Sequence, residues 1–193
     1  LYATANTATA IVPESEFEFL VFYPNRTYEF CSNHCKRLRI GVSEVFGRNS
    51  KIILSGNFDE VKIFGGNIEL VTKQCYCKKL NIEKSSVGVL NGICGQIDDM
   101  ILQNSKFVYH LPCNKDPEKL VIKNVLKLTR SNLILNDSGL RANTVLLNDG
   151  SRLFCEATVS TIKLSISEIY EDATSYIVLP SRPEQINVEG VTL

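Results

Sequence analysis

The sequence has few of the features that most often indicate a function. It contains no tryptophan, one methionine and six prolines, and its 21 basic residues balance its 21 acidic residues. Binding to the phosphate backbone requires an excess of positive charge, so nucleic acid is not an expected partner. The longest apolar run, residues 17–23, is interrupted by Glu18. It is far shorter than the ~20 residues that cross a bilayer, so no membrane span is predicted.

Reactive side chains are also sparse. His34 and His110 are the two histidines, and neither lies in a recognisable nucleophile motif. Asp98 and Asp99 are adjacent, but neighbouring residues of a strand face opposite sides. They are therefore poorly placed to act as the carboxylate pair of a glycoside hydrolase. We expect no catalytic residues, no cofactor and no metal site.

Cysteine, in contrast, is abundant, with seven residues in a chain of 193. Such a count is typical of oxidised, secreted domains and unusual for a cytosolic protein that binds no metal. Two N-glycosylation sequons, at Asn25 and Asn136, favour the same compartment. The sequence therefore predicts a secreted or extracellular protein.

From Leu38 onward the chain repeats a short pattern, in which two apolar residues flank a variable one and a small residue often follows. The repeats start at residues 38, 61, 80, 100, 120, 145, 162 and 186. The central starts are 19, 20 and 20 residues apart, and the outer spacings are looser. Alternating apolar residues turn to one side of a strand, and a period of about 20 residues is typical of solenoids.

The pattern predicts an all-β protein with one domain, a β-solenoid of about eight coils over residues 38–193. Residues 1–37 are expected to form a flexible leader and an N-terminal cap strand. No window shows the 3.6-residue period of a long helix. The alternative is an antiparallel β-sandwich, because its short strands and frequent turns produce a similar pattern.

Two segments, VKIFGGNIELV (61–71) and LNIEKSSVGVL (80–90), resemble the L-x-L-x-x-N-x-L core of extracellular leucine-rich repeats. Gly66 and Ser85 stand at the position of that family's asparagine, so its asparagine ladder is missing. Residues 144–179 look more like a parallel β-helix, with β-branched residues on several strands. The resemblance implies a β-solenoid and no particular activity.

The repeat also suggests positions for several cysteines. Cys75, Cys94 and Cys113 are 19 residues apart, so we expect them to stack on successive coils. The spacing between coils is compatible with a disulfide. One pair among these three, or one that includes Cys77, is therefore a candidate disulfide that joins two coils.

Cys31 and Cys35 precede the first repeat and are expected to form a disulfide in the N-terminal cap. The alternative, a metal or redox site, lacks a second cysteine or histidine pair at a suitable spacing. Because seven is an odd number, one thiol should remain free or pair with another chain. We expect it to be Cys155, which follows two apolar residues.

A repeat without a reactive cluster favours a secreted, non-catalytic binding or structural module. We expect a long sheet face to contact a protein partner or another copy of the chain. The candidate partner surface consists of apolar residues at outward positions of neighbouring coils, namely Ile101, Val121 and Leu146. The alternative is a β-helix protein that binds or cleaves a glycan.

Overall fold

The computed structural model describes residues 7–21, 26–42, 50–84, 88–110, 119–157, 162–182 and 186–189. In order, the strands are β1 (Thr7–Ile11), β2 (Glu16–Val21), β3 (Thr27–Val42), β4 (Ser50–Phe64), β5 (Ile68–Glu83), β6 (Gly88–Gln103), β7 (Lys106–His110), β8 (Lys119–Thr129), β9 (Asn132–Asn136), β10 (Gly139–Asn148), β11 (Arg152–Glu156), β12 (Ile162–Glu171), β13 (Tyr176–Val178) and β14 (Ile186–Glu189). Every strand pair in the described residues is parallel. An antiparallel sandwich is therefore excluded for this part of the chain.

The strands wind into a β-solenoid of about seven turns, which confirms the predicted fold class and lies close to the predicted eight coils. Strands β3, β4, β5 and β6 each extend around one turn. In the later turns two strands share this path, first β7 with β8, then β9 with β10, then β11 with β12. Partial turns lie at the two ends, formed by β1 with β2 and by β13 with β14.

Each turn has three flat segments, as the burial of β5 shows. Buried residues alternate with less buried ones from Ile68 to Thr72, again from Cys75 to Cys77, and again from Leu80 to Ile82. Two exposed residues in succession separate these segments, because the chain bends there and the alternation restarts. We name the three stacks of segments the first, second and third face, in chain order.

The corner that ends the third face is built the same way in successive turns. One residue there has a left-handed backbone, as in Lys84, Asn104, Arg130 and Asp149. A stack of buried serines follows, formed by Ser105, Ser131, Ser151 and Ser175. The hydroxyl of each later serine accepts a hydrogen bond from the backbone N–H of the serine before it, at 3.0–3.1 Å. This stack satisfies backbone donors that the corner would otherwise leave unpaired.

The predicted repeat mixes two faces. Leu38, Val61, Leu80 and Met100 do stack on one another, on the third face. The next residue of that stack, however, is Leu126. The predicted start at residue 120 lies on the second face with the starts at 162 and 186, whereas the start at 145 returns to the third face. The register differs because inward residues of every face show the same apolar alternation and the turns vary in length.

Residues near the N-terminus belong to the same sheet. Thr7–Ile11, within the segment expected to be a flexible leader, forms β1 and pairs with the start of β3. Strand β2 pairs with the end of β3, so both strands extend the stack by one partial turn. The leucine-rich-repeat alternative is not supported, because a turn of that family carries one short strand and these turns carry strand on three faces.

Candidate interaction face

The outward side of the first face carries a continuous apolar row. Its members occupy the same register position on five successive strands, β6, β7, β9, β11 and β13. They are Val89, Val108, Ile134, Phe154 and Val178. Each side chain is partly exposed. The first four lie between buried neighbours on their strands, whereas Val178 ends β13 and is followed by the exposed Leu179. We call these five residues the apolar stripe.

The stripe belongs to the later turns of the solenoid. At the same register position of β4 and β5 stand Lys51 and Glu69, whose Nζ and Oε1 atoms form an ion pair at 3.0 Å. Glu69 is in turn the register partner of Val89, the first residue of the stripe. The stripe therefore begins where the charged positions of the first face end.

The sheet beneath the stripe is firmly packed. The inward neighbours of the three central stripe residues are nearly inaccessible to solvent, namely Phe107, Tyr109, Leu133, Leu135, Leu153 and Cys155. Backbone pairing to both neighbouring turns holds β7, β9 and β11 in register. The outward side chains therefore project from a scaffold that needs little ordering when a partner binds.

Charged and polar residues flank the stripe on both sides. The residue two positions before the stripe is basic or amide, as in Lys106, Asn132 and Arg152; we call this row the basic flank. The residue two positions after it is His110, Asn136 or Glu156; we call this row the acidic flank after Glu156, its one acidic residue. The Arg152 guanidinium also stacks on the ring of Tyr176, 5.0 Å from its centre.

The predicted partner residues do not form one patch. Ile101 and Leu146 both face outward on the third face, but Lys127 lies between them in register. Val121 lies on the second face, where its register partner is Arg141. The sequence therefore predicted residues that do face outward, but these three residues are not adjacent in the structure. It did not predict the apolar stripe. The signal for the stripe was the fully apolar strand triplets around Val108, Ile134 and Phe154.

The corner between the second and third faces carries a charged cluster instead of an apolar row. One carboxylate oxygen of Asp59 forms an ion pair with the Nζ atom of Lys78 at 2.6 Å. The other carboxylate oxygen lies 3.5 Å from Nε2 of His34. The Lys78 ammonium holds the pKa of Asp59 below its usual range, and Asp59 raises the pKa of Lys78. Both charges are therefore stabilised on the surface.

The carboxylate of Asp98 continues this cluster. It accepts hydrogen bonds from the Tyr76 hydroxyl at 2.9 Å and from the Gln96 amide at 2.7 Å. Partial burial alone would raise the pKa of Asp98, but these bonds and nearby Lys123 outweigh burial and lower the pKa. Asp99 instead accepts a hydrogen bond from the backbone N–H of Val125. The two adjacent carboxylates thus have separate partners.

Five cysteines lie in the part of the chain whose side chains are described, and all five are free thiols; they are Cys31, Cys35, Cys75, Cys77 and Cys155. The cap disulfide expected between Cys31 and Cys35 is not formed. Cys31 accepts a hydrogen bond from the Ser55 hydroxyl at 3.0 Å, while the buried Cys35 thiol donates to the carbonyl of Ser15 at 3.5 Å. The two sulfurs therefore have different surroundings.

The expected stack of cysteines on successive coils is not in register. The neighbours of Cys75 are Gly56 and Gly95, so Cys94 is displaced by one position. The Cys94 side chain and all of Cys113 lie outside the described residues. Cys77 faces inward like Cys75, and burial raises the pKa of each thiol to about 12. Cys155, expected to be unpaired, is buried beneath the stripe with a pKa of about 12 for the same reason.

The two sequons have different outcomes. Asn25 lies outside the described residues. Asn136 ends β9 in the acidic flank, two residues from Ile134 and on the same side of the strand. The sequon's Ser138 is buried, and its hydroxyl donates to the carbonyl of Tyr109 at 3.4 Å. A glycan on Asn136 would therefore lie beside the stripe.

No family model matches the chain, and neither a curated protein nor a solved structure matches it. Among the described residues, no group of three or more histidine, cysteine, aspartate or glutamate side chains is arranged to hold a metal ion. The described part also contains no helix of the length and hydropathy that a membrane span requires. The class defined by the structure is the parallel β-solenoid, and a functional proposal has to rest on its faces.

Proposed function

We propose that the protein is a non-catalytic binding or structural module that contacts protein through the apolar stripe of its first face. The observation that carries the proposal is the unbroken register of Val89, Val108, Ile134, Phe154 and Val178 over five strands. Contiguous apolar surface rimmed by polar residues is typical of protein-interaction sites.

The composition of the stripe supports this role. Four of its members, all except Phe154, are valine or isoleucine; these β-branched side chains lose little rotamer freedom when they are covered. Phe154 provides the large aromatic side chain that interaction sites often use as an anchor. Because the sheet is flat and its backbone is fully paired below the stripe, the complementary surface is another extended protein face.

The charged cluster at the corner between the second and third faces gives less support to the glycan-cleaving alternative. A general acid for glycoside hydrolysis needs a carboxyl with a raised pKa, so that it carries a proton near neutral pH. The pKa values of Asp59 and Asp98 are lowered instead. We therefore propose that these carboxylates have a structural role, as ion pairs and hydrogen-bond acceptors between turns.

An extracellular setting remains a separate proposal, based on the two sequons and the number of cysteines. The five free thiols do not add support to it. The contact proposed for the first face is compatible with an extracellular setting only if Asn136 carries no glycan.

The experiment is a co-purification of two differently tagged full-length copies from the native source, with all bound protein quantified by mass spectrometry. The stripe variant I134K/F154K is compared with the control I101K/L146K, which places the same charges at outward positions of the third face. We expect the stripe variant to lose its bound protein, the second copy included, and the control to keep it. Equal retention by both variants, or loss from the control alone, contradicts the proposal.

A further inference from the structure

The two flanks of the stripe differ in charge. Strand β11 shows the contrast most clearly, since Arg152, Phe154 and Glu156 alternate along it and all three project outward. Arg152 and Glu156 are exposed at their ends of the strand and lie about 13 Å apart along it. On β7 the residue of the basic flank is Lys106, and the residue of the acidic flank is His110.

At β11 this face is complementary in charge to itself. A rotation of 180° about an axis that runs along the stripe, within the plane of the contact, turns the basic flank of one copy toward the acidic flank of the other. Because the axis is parallel to the solenoid, each strand meets the same strand of the second copy. Arg152 of each copy then faces Glu156 of the other, and Phe154 meets its counterpart on the axis.

We propose that the occupant of the stripe is a second copy of this chain, held by this two-fold axis. The inference rests on the proposed function and identifies the partner. Symmetry makes the contact closed, with two equivalent Arg152–Glu156 contacts on either side of one apolar seam. Lys51 and Glu69 lie near the same axis and already neutralise each other within one copy. The same symmetry places Lys51 opposite Lys51 and Glu69 opposite Glu69 of the second copy, and the ion pair within each copy offsets these like charges.

The charges disfavour the other two-fold arrangement. An axis that runs across the stripe, parallel to the strands, would place the basic flank of one copy opposite the basic flank of the other. Lys106 and Arg152 would then face a row without an acidic residue on the described strands β7, β9 and β11. Like charges opposed across a contact cost affinity, so the axis along the stripe is preferred.

The size of the face is sufficient for a specific contact. Nine strands contribute to the first face. At about 4.8 Å between strands and about 3.3 Å per residue, such a face measures roughly 38 Å by 16 Å. Two copies that cover each other over all nine strands, including the strands beyond the stripe that carry Lys51 and Glu69, would bury roughly 1,200 Å² in total. This area is at the lower end of the range for specific complexes. We therefore expect a dimer that dissociates reversibly on dilution.

The test exchanges the charges of β11. In the full-length chain, R152E and E156R each place like charges across the contact, so each is expected to weaken the dimer at least about tenfold in sedimentation velocity. An equimolar mixture of the two variants should restore association as a mixed dimer. One copy then carries acidic side chains at both positions and the other carries basic ones, so opposite charges meet in both contacts. The double variant R152E/E156R should also dimerise. R141E, at an exposed position of the second face, is the control and should behave as the wild type.

Native mass spectrometry with one variant extended by a tag identifies the mixed dimer directly. A mixture that stays monomeric overturns the proposal, as does a dimer that none of the charge changes affects. A wild-type chain that is monomeric at every concentration overturns it too. In that last case the proposed function still stands if I134K/F154K loses other bound proteins, so the two failures are distinguishable.

Discussion

Phe154 is the direct register partner of Ile134 on the neighbouring turn, and both side chains project outward from a sheet whose inward side is filled. At this level the strands have apolar residues on both sides. A parallel sheet that is covered on one side by its own core and on the other by a partner has this composition. The pairing of these two residues therefore links the packing of the solenoid to its proposed contact.

A first prediction concerns the corner between the first and second faces. Gly95 has a φ of +124°, and a Cβ atom there would lie 1.9 Å from the carbonyl oxygen of Cys75. We expect G95A to lower the free energy of unfolding by about 3 kcal/mol in urea denaturation, because the backbone of two turns has to move apart.

The matched control is G150A. Gly150 also has a positive φ, +75°, but no atom lies within 4 Å of its Cβ position. Its substitution should cost about 1 kcal/mol, which is the effect of the left-handed backbone alone. Equal losses in the two variants would contradict the close stacking of Gly95 on Cys75.

A second prediction concerns acid stability. The Asp172 carboxylate accepts hydrogen bonds from the backbone N–H groups of Asp149 at 2.6 Å and Thr174 at 2.9 Å, and from the Thr174 hydroxyl at 2.8 Å. These bonds, with that from Asp149 the strongest, lower the pKa of Asp172 well below its usual range. A depressed folded-state pKa stabilises the protein above the unfolded pKa, and this stabilisation is lost as the pH falls toward the folded pKa.

The wild type should therefore be more stable than D172N at pH 7, and the difference should shrink steadily below pH ~4. Urea denaturation of both proteins at pH 7, 5, 4 and 3 measures this difference in the free energy of unfolding. A difference that is constant over this range would show that the carboxylate's charge does not contribute. D149N is a suitable comparison, because the Asp149 side chain is exposed and its contact with Arg130 is long, at 3.6 Å.

A third prediction concerns the thiols. Burial raises the pKa of Cys75, Cys77 and Cys155 to about 12, so at pH 8 roughly one thiol in ten thousand is ionised at each site. We expect these three to resist iodoacetamide in the folded chain, while the partly exposed Cys31 reacts first. Mass mapping gives the order, and in denaturant all of them should react at similar rates. A disulfide between any two of these five cysteines would contradict the structure, in which all five are free thiols.

A fourth prediction separates two expectations about Asn136. The sequon alone predicts a glycan there, whereas a contact through the stripe requires that the neighbouring position stay uncovered. We predict an unmodified Asn136. The intact mass of the protein from its native source, before and after glycosidase treatment, decides between them. Full occupancy of Asn136 would contradict the proposed contact, and N136Q serves as the unmodified reference.

The sequence was sufficient to predict the class of fold but not the arrangement of its turns. Alternating apolar residues such as Leu80 and Ile82 indicate a strand that faces a core, and their recurrence indicates stacked turns. The same alternation marks every face, so Leu120 of the second face was placed in the stack of Met100. Which residues stack on one another depends on the number of residues in each corner and in each connection between strands. That number varies from turn to turn without a period that could be read from the sequence.

The same limit applied to the candidate site. Members of the stripe are separated in sequence by 19, 26, 20 and 24 residues, which hides a row that is straight in space. The cysteines show the opposite error, since the constant spacing of Cys75 and Cys94 suggested a stack that a bulge moves out of register. Equal spacing implies stacking only where the turns between are equal in length.

Site-specific photo-crosslinking tests directly whether the first face is the contact surface. Benzoylphenylalanine replaces Phe154 in one variant and Ile101, on the third face, in another. We predict an irradiation-dependent product from position 154 with twice the mass of the chain, and none from position 101. Peptide mapping should place the new bond within β9, β11 or β13 of the second copy. No product from position 154, or equal yields from both positions, would show that the first face is not the contact surface.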